Sequence, residues 1–155
     1  MKSTYLSKLE FNKILKILEG YCNTYLGKHY VNELSPSNNK SIVQNNLLET
    51  NECVSLIYQN GTPSIDNIKD INVYLKILES SGSLSIPAIL SLTNIFINAQ
   101  DLKDYFFNEH IDIEKYSNLN SYFSNLYSNK NVIDLIKNCI IDDNNISDNA
   151  SENLK

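Results

Sequence analysis

The chain has 155 residues, a formal charge of -5 and no arginine among its 13 basic residues, with 42% hydrophobic and 20% charged side chains. That length suits one domain large enough to fold without a metal or disulfide staple, and that composition is far from a disordered one. No apolar run approaches membrane-spanning length and no apolar h-region opens the chain, so the expectation is a soluble cytoplasmic protein with no membrane partner.

Composition carries a second signal. There are 24 Asn and 19 Ile against 3 Ala, 4 Gly and 3 Pro, a bias toward residues with AT-rich codons. The sequons at Asn39, Asn60, Asn145 and Asn149 follow from the same drift and carry no meaning without a secretory route. Cys22, Cys53 and Cys139 are odd in number and lack metal-ligand spacing, so they read as small core hydrophobes.

In chain order, Phe11, Ile14, Leu15, Leu18 and Cys22 recur at helical steps. They predict a first helix ending near Tyr21 and a second running to about Leu34, where Ser35-Pro36-Ser37 breaks the pattern. A third helix should follow, capped by Ser37 or Asn38, with Val43, Leu47, Val54 and Ile57 on one face. Asn60-Gly61-Thr62-Pro63 ends it with turn chemistry. Asp66 should cap a fourth helix carrying Ile68, Ile71, Leu75 and Leu78, closed by Ser80-Ser81-Gly82-Ser83.

Ser85 and Pro87 open a fifth helix that is apolar almost all round, from Ile86 to Phe106, as a central helix of a bundle would be. Two shorter helices are predicted, one with Leu119, Tyr122, Phe123, Leu126 and Tyr127, the other with Val132, Leu135, Ile136, Cys139 and Ile140. The fold class is therefore all-α, a bundle of six to seven helices. Residues 1–141 form its helical part and residues 142–155 a polar connection.

Catalytic chemistry is absent from the pattern. Gly20, Gly27, Gly61 and Gly82 are too scattered for a phosphate-binding loop. His29 and His110 have no carboxylate or cysteine partner at a recognised spacing and read as surface residues. Asp142-Asp143-Asn144-Asn145 opens like a calcium loop, but Ile146 and Ser147 occupy positions that need an oxygen ligand and a glycine, which leaves a solvated turn. Asp66 and Asp70 fit a cap and a solvent-facing residue better than a carboxylate pair. Lys8, Lys13 and Lys16 give the first helix some positive charge, and ten tyrosines could stack bases. An isoelectric point near 5.0 still argues against tight autonomous nucleic-acid binding. The expected catalytic, cofactor-binding and metal residues of this segment are none.

The ordered landmarks add a further layer. They are Leu9-Glu10-Phe11 with Ile14-Leu15, Gly27-Lys28, Leu34-Ser35-Pro36-Ser37 and Glu49-Thr50-Asn51-Glu52-Cys53. Gly61-Thr62-Pro63, Ile68-Lys69-Asp70-Ile71, Gly82-Ser83-Leu84-Ser85 and the stretch from Cys139 to Ser151 follow in turn. Together they resemble the N-terminal region of the second bacterial MutS family, over Leu9 to Lys155, with Asn144 or Asn145 where the family carries Gly. The resemblance implies a non-catalytic core and lever segment of a MutS-like DNA-repair ATPase, leading toward a clamp. ATP and Mg would be bound in C-terminal parts of the parent, where the family often also carries a small nuclease domain. The parent would be a homodimer acting on branched DNA or collided ribosomes, and the segment's own partner would be the remainder of its chain. A free-standing helical interaction module is the alternative reading, and an independent small enzyme the weakest.

Overall fold

The computed structural model describes residues 9–65, 68–148 and 150. Among these residues seven α-helices and one 3-10 turn form the architecture, and no strand is present beyond an isolated antiparallel bridge between Ile140 and Ile146.

The first two helices, α1 (Phe11–Gly20) and α2 (Tyr25–Glu33), pack on each other as a hairpin. The Thr24 hydroxyl accepts a hydrogen bond from the Gly27 amide, so α2 starts with a side-chain cap. Beyond Pro36, α3 (Lys40–Asn60) begins one residue later than the sequence suggests. The Asn39 carboxamide oxygen accepts from the amides of Ser41 and Ile42, while Ser37 accepts from the Asn39 amide one step upstream. Gly61, at φ 80°, ends α3 in the left-handed region that favours glycine.

The next helix differs from expectation. Asp66 lies outside the described residues, and Ile68 to Ile71 are not helical. The Asp70 carboxylate accepts from the Asn72 amide, and α4 runs only from Asn72 to Glu79. A short side chain that satisfies a backbone donor locally offers the chain an alternative to helix, and here it delays the start by about one turn.

The end of α4 is a Schellman-type cap. The Gly82 amide donates to Ile77 O at 2.8 Å, with Ser81 at φ 58° in the left-handed position usually held by glycine. Ser81→Gly is expected to raise the stability by about 0.5–1 kcal/mol by removing a Cβ from that conformation. Thermal unfolding followed by circular dichroism reads the gain, and a loss would show that the Ser81 side chain stabilises the turn. Gly82→Ala should act the other way, since a Cβ there would stand 2.8 Å from Ile77 Cγ2.

Helix α5 (Ile86–Phe106) is the central element, in contact with both later helices, α6 (Ser117–Asn125) and α7 (Lys130–Cys139). It buries Ala88, Thr93, Asn98, Ala99 and Phe106, and the Thr93 hydroxyl is satisfied by donating to Ile89 O. A 3-10 turn, Ile113–Tyr116, which the periodicity did not announce, leads into α6. Leu126 and Ile140 were expected inside the last two helices but sit extended at their C-caps, and the buried residue of α7 is Ile133, not Leu135.

The core sits where α3, α5, the 3-10 turn and α6 meet. Leu56, Phe106, Ile111, Tyr116 and Leu119 form one buried cluster, flanked by Tyr105, Ile113 and Phe123. The Phe106 ring stacks on Phe123 at 4.2 Å and meets Tyr116 edge-on at 6.5 Å. The cysteines are not core residues: Cys53 is exposed and Cys22 and Cys139 are half-buried, all three as free thiols.

The exposed area is large. The chain exposes 11740 Å², whereas a compact monomer of this mass exposes about 7,900 Å². Even if the 16 residues outside the description were wholly exposed, they would account for about 2,700 Å² of the difference. The remaining excess comes from helix faces with nothing against them, α3 above all.

Candidate functional site

Two features organise the polar and apolar surfaces on which a function could rest. The first is a polar seam joining α3 to α6. Helix α6 has no cap of its own, because Tyr116 occupies the N-cap position and forms no side-chain cap. A carboxylate from a distant helix replaces it. Glu52 Oε2 accepts from the amides of Asn118 and Leu119 at 3.0 and 3.1 Å, and Oε1 accepts from the Asn118 carboxamide. Those amides are the second and third donors of α6, where the helix dipole also favours negative charge.

One turn earlier, Glu49 accepts from the Tyr122 hydroxyl at 3.1 Å, and this bond, with the carboxylate's charge, holds the Tyr122 pKa above its ordinary value. Two turns later, Tyr116 donates to Gln59 Oε1 at 3.1 Å, and at the helix end Tyr105 donates to Gly61 O at 2.7 Å. Burial, foremost, and the neighbouring Cys53 and Tyr116 raise the Tyr105 pKa. These contacts fix α3 on the body of the protein. They orient helices; none of them brings a nucleophile to a base.

The second feature is an apolar cleft of about 380 Å³ between α2, α4 and α5, walled by Leu26, Ile71, Leu75, Ile95, Ala99 and Leu102. Its size is that of a small-molecule site. Its walls are almost wholly aliphatic, and a cleft of that kind orients nothing for reaction.

The residues weighed from sequence do not converge. His29 stacks on Tyr25 and its Nε2 lies 3.2 Å from Glu33 Oε1, so the expectation that it lacks a carboxylate is corrected: a residue four positions on sits on the same helix face. His110 likewise has Nε2 3.9 Å from Glu109. Both histidines are exposed, His29 on α2 and His110 in the turn after α5, and neither donates to or accepts from the side chains of the polar seam. Lys13 pairs with Glu10 at 2.7 Å, and Lys8 lies outside the described residues.

Asp142 does close a solvated turn. Its carboxylate accepts from the Asn144 amide and from the Asn145 carboxamide, bonds that lower its pKa below the usual carboxylate value. Among the described residues no three His, Cys, Asp or Glu side chains gather as metal ligands, and no helix is long and apolar enough to cross a membrane. The four glycines lie on separate elements and do not cluster into a phosphate-binding loop.

Sequence reasoning passed over Glu52 as a structural residue. The available signal was its spacing from Glu49, three positions apart on the face opposite Val43, Leu47 and Val54. That face also carries the buried Leu56, and α6 supplies donors to both acids beside it.

These features define a helical scaffold segment whose polar groups hold helices together. The chain is related to the MutS2 family. No family model matches it. It is similar to the endonuclease MutS2 of Ruminiclostridium cellulolyticum, 38% identical over 146 residues that make up 94% of this chain and 18% of that protein. The endonuclease MutS2 of Lachnospira eligens is 33% identical over the whole chain and 19% of its own length. That of Acetivibrio thermocellus is 31% identical over 99% of the chain, again 19% of its own length. The chain thus spans about a fifth of the length of the curated relatives it matches.

Proposed function

We propose that this chain is the non-catalytic N-terminal core and lever segment of a MutS-like DNA-repair ATPase working in the cytoplasm. The observation that carries the reading is the end-to-end similarity to proteins named endonuclease MutS2, confined to about a fifth of their length. The large uncovered helix surface agrees with it, because a segment that packs against more polypeptide leaves such faces bare when considered alone. ATP hydrolysis, Mg and any nuclease step belong to C-terminal parts of the parent, which acts as a homodimer on branched DNA or ribosomal RNA. The segment's role is mechanical: packed helices have discrete arrangements, and a carboxylate-capped α6 moves with the α3 that caps it.

Reading the coding frame beyond Lys155 tests this directly. Continuation into a Gly-x-x-x-x-Gly-Lys-Ser/Thr loop supports the proposal, and a stop codon after Lys155 removes the ATPase for this chain. Titration of the chain with branched DNA or ribosomal RNA over a salt series gives a second readout. The expected result is weak binding, given the net charge of -5. Saturable submicromolar binding near physiological salt would place a nucleic-acid contact within the segment itself.

A further inference from the structure

Of the 24 asparagines in the chain, only Asn60 is followed by glycine. That pair carries a chemistry of its own. With no side chain on the following residue to crowd the approach, its backbone nitrogen can attack the asparagine Cγ, close a succinimide ring and expel ammonia. Water then opens either carbonyl of the ring, leaving aspartate or the β-linked isoaspartate. One water is consumed and one ammonia released, with no change of oxidation state. Every other asparagine precedes a residue whose Cβ stands in the way.

The fold holds this pair in an unreactive geometry at the end of α3. The Gly61 amide donates to Ile57 O at 2.9 Å, so the nucleophile is engaged in the helix ladder. The Asn60 carboxamide donates to Leu56 O at 3.2 Å, which points it back along the helix. The Gly61 carbonyl accepts from the Tyr105 hydroxyl of α5 at 2.7 Å. Access is not what prevents the reaction: Gly61 is exposed, and a Cβ built on it would meet nothing within 4 Å. The first two bonds belong to the last turn of a helix, where fraying is easiest. The third is a tertiary bond, and it is the one that keeps the turn closed.

We propose that Asn60-Gly61 is a deamidation site held shut by the Tyr105 hydroxyl, and that its conversion is a one-way release of the α3 end from α5. Opening of the last turn frees the Gly61 nitrogen and lets the carboxamide swing toward it. Neither product fits back. An ionised aspartate cannot donate to Leu56 O, and it sets a negative charge at the negative end of the α3 dipole. Isoaspartate lengthens the backbone by one carbon, so the Gly61 amide no longer meets Ile57 O and the Gly61 carbonyl leaves Tyr105. Leu56, a core residue one turn upstream and 2% exposed, loses the support of that turn. The device belongs to this chain's own residues and stands apart from any activity of the parent.

Prolonged incubation of the chain at neutral and mildly alkaline pH is the test, native and unfolded in guanidinium, with products located by peptide mass mapping. Conversion is expected first at Asn60, faster at the higher pH because the attacking nitrogen must lose its proton, and slower in the native chain than in the unfolded one. Tyr105→Phe keeps the ring and removes the bond, so it should speed native conversion by about two- to tenfold and leave the unfolded rate unchanged. Glu52→Ala weakens the fold about two turns away and should leave the native rate at Asn60 unchanged. The converted chain, separated by its added negative charge, should lose amide protection over the last turn of α3. The native and unfolded comparison needs no variant. Another asparagine reacting first, equal native and unfolded rates, no gain in Tyr105→Phe, or the same gain in Glu52→Ala would each overturn the proposal. Retained protection in the converted chain would overturn the release.

Discussion

Phe106→Ala is expected to lower the free energy of unfolding by about 3–5 kcal/mol, the cost of emptying a fully buried aromatic site that cannot collapse. Phe106 is 0% exposed and is the point where the layers meet: its ring stacks on Phe123 of α6, meets Tyr116 of the 3-10 turn edge-on and shares the cluster with Leu56 of α3. One truncation therefore unties three elements from α5. Globular domains are stable by about 5–15 kcal/mol, so the variant should be partly unfolded at modest temperature. Urea denaturation followed by circular dichroism measures it. Phe107→Ala is the comparison: Phe107 is adjacent in sequence, 40% exposed and meets Phe106 edge-on at 5.1 Å, so it should cost about 1–2 kcal/mol, clearly less than Phe106→Ala. Equal losses for the two variants would mean that the stacked cluster is not what holds α5 to α6.

Phe106 also shows how far the sequence could be read. The helix that contains it was legible because the run from Ile86 to Phe106 is apolar almost all round, the pattern of a central helix. The ends of α2 and α3 were legible from Pro36 and Gly61, whose backbone restrictions act locally. The inward face of α3 was not. Val43, Leu47, Val54 and Ile57 form the aliphatic stripe, and a stripe marks a core only where a partner exists to cover it. In this chain the body is reached instead through Leu56 and two glutamates, whose partners lie 66 to 73 positions away. No periodicity reports a contact at that separation. The late start of α4 was hidden for a different reason: Asp70 can serve equally as a helix residue or as an acceptor for the Asn72 amide, and only the fold chooses between them.

Glu52→Ala is expected to cost about 1–3 kcal/mol, a large value for a half-buried polar residue, because it strips the acceptor from two amides at a helix start that has no other cap. Glu52→Gln keeps one acceptor oxygen but not the charge that the α6 dipole favours, so its loss should fall between wild type and alanine. Glu49→Gln changes an exposed contact with Tyr122 and should cost well under about 1 kcal/mol. The order of the three variants separates capping from a general effect of acidic residues on α3. Amide hydrogen exchange locates the effect. In Glu52→Ala the amides of Asn118 and Leu119 should exchange faster while those of α7 stay protected, as expected if Glu52 stabilises the first turn of α6. Uniformly faster exchange would show instead that Glu52 supports the whole body. A change confined to α6 would establish that the Glu52 carboxylate of α3 holds the first turn of α6 in place.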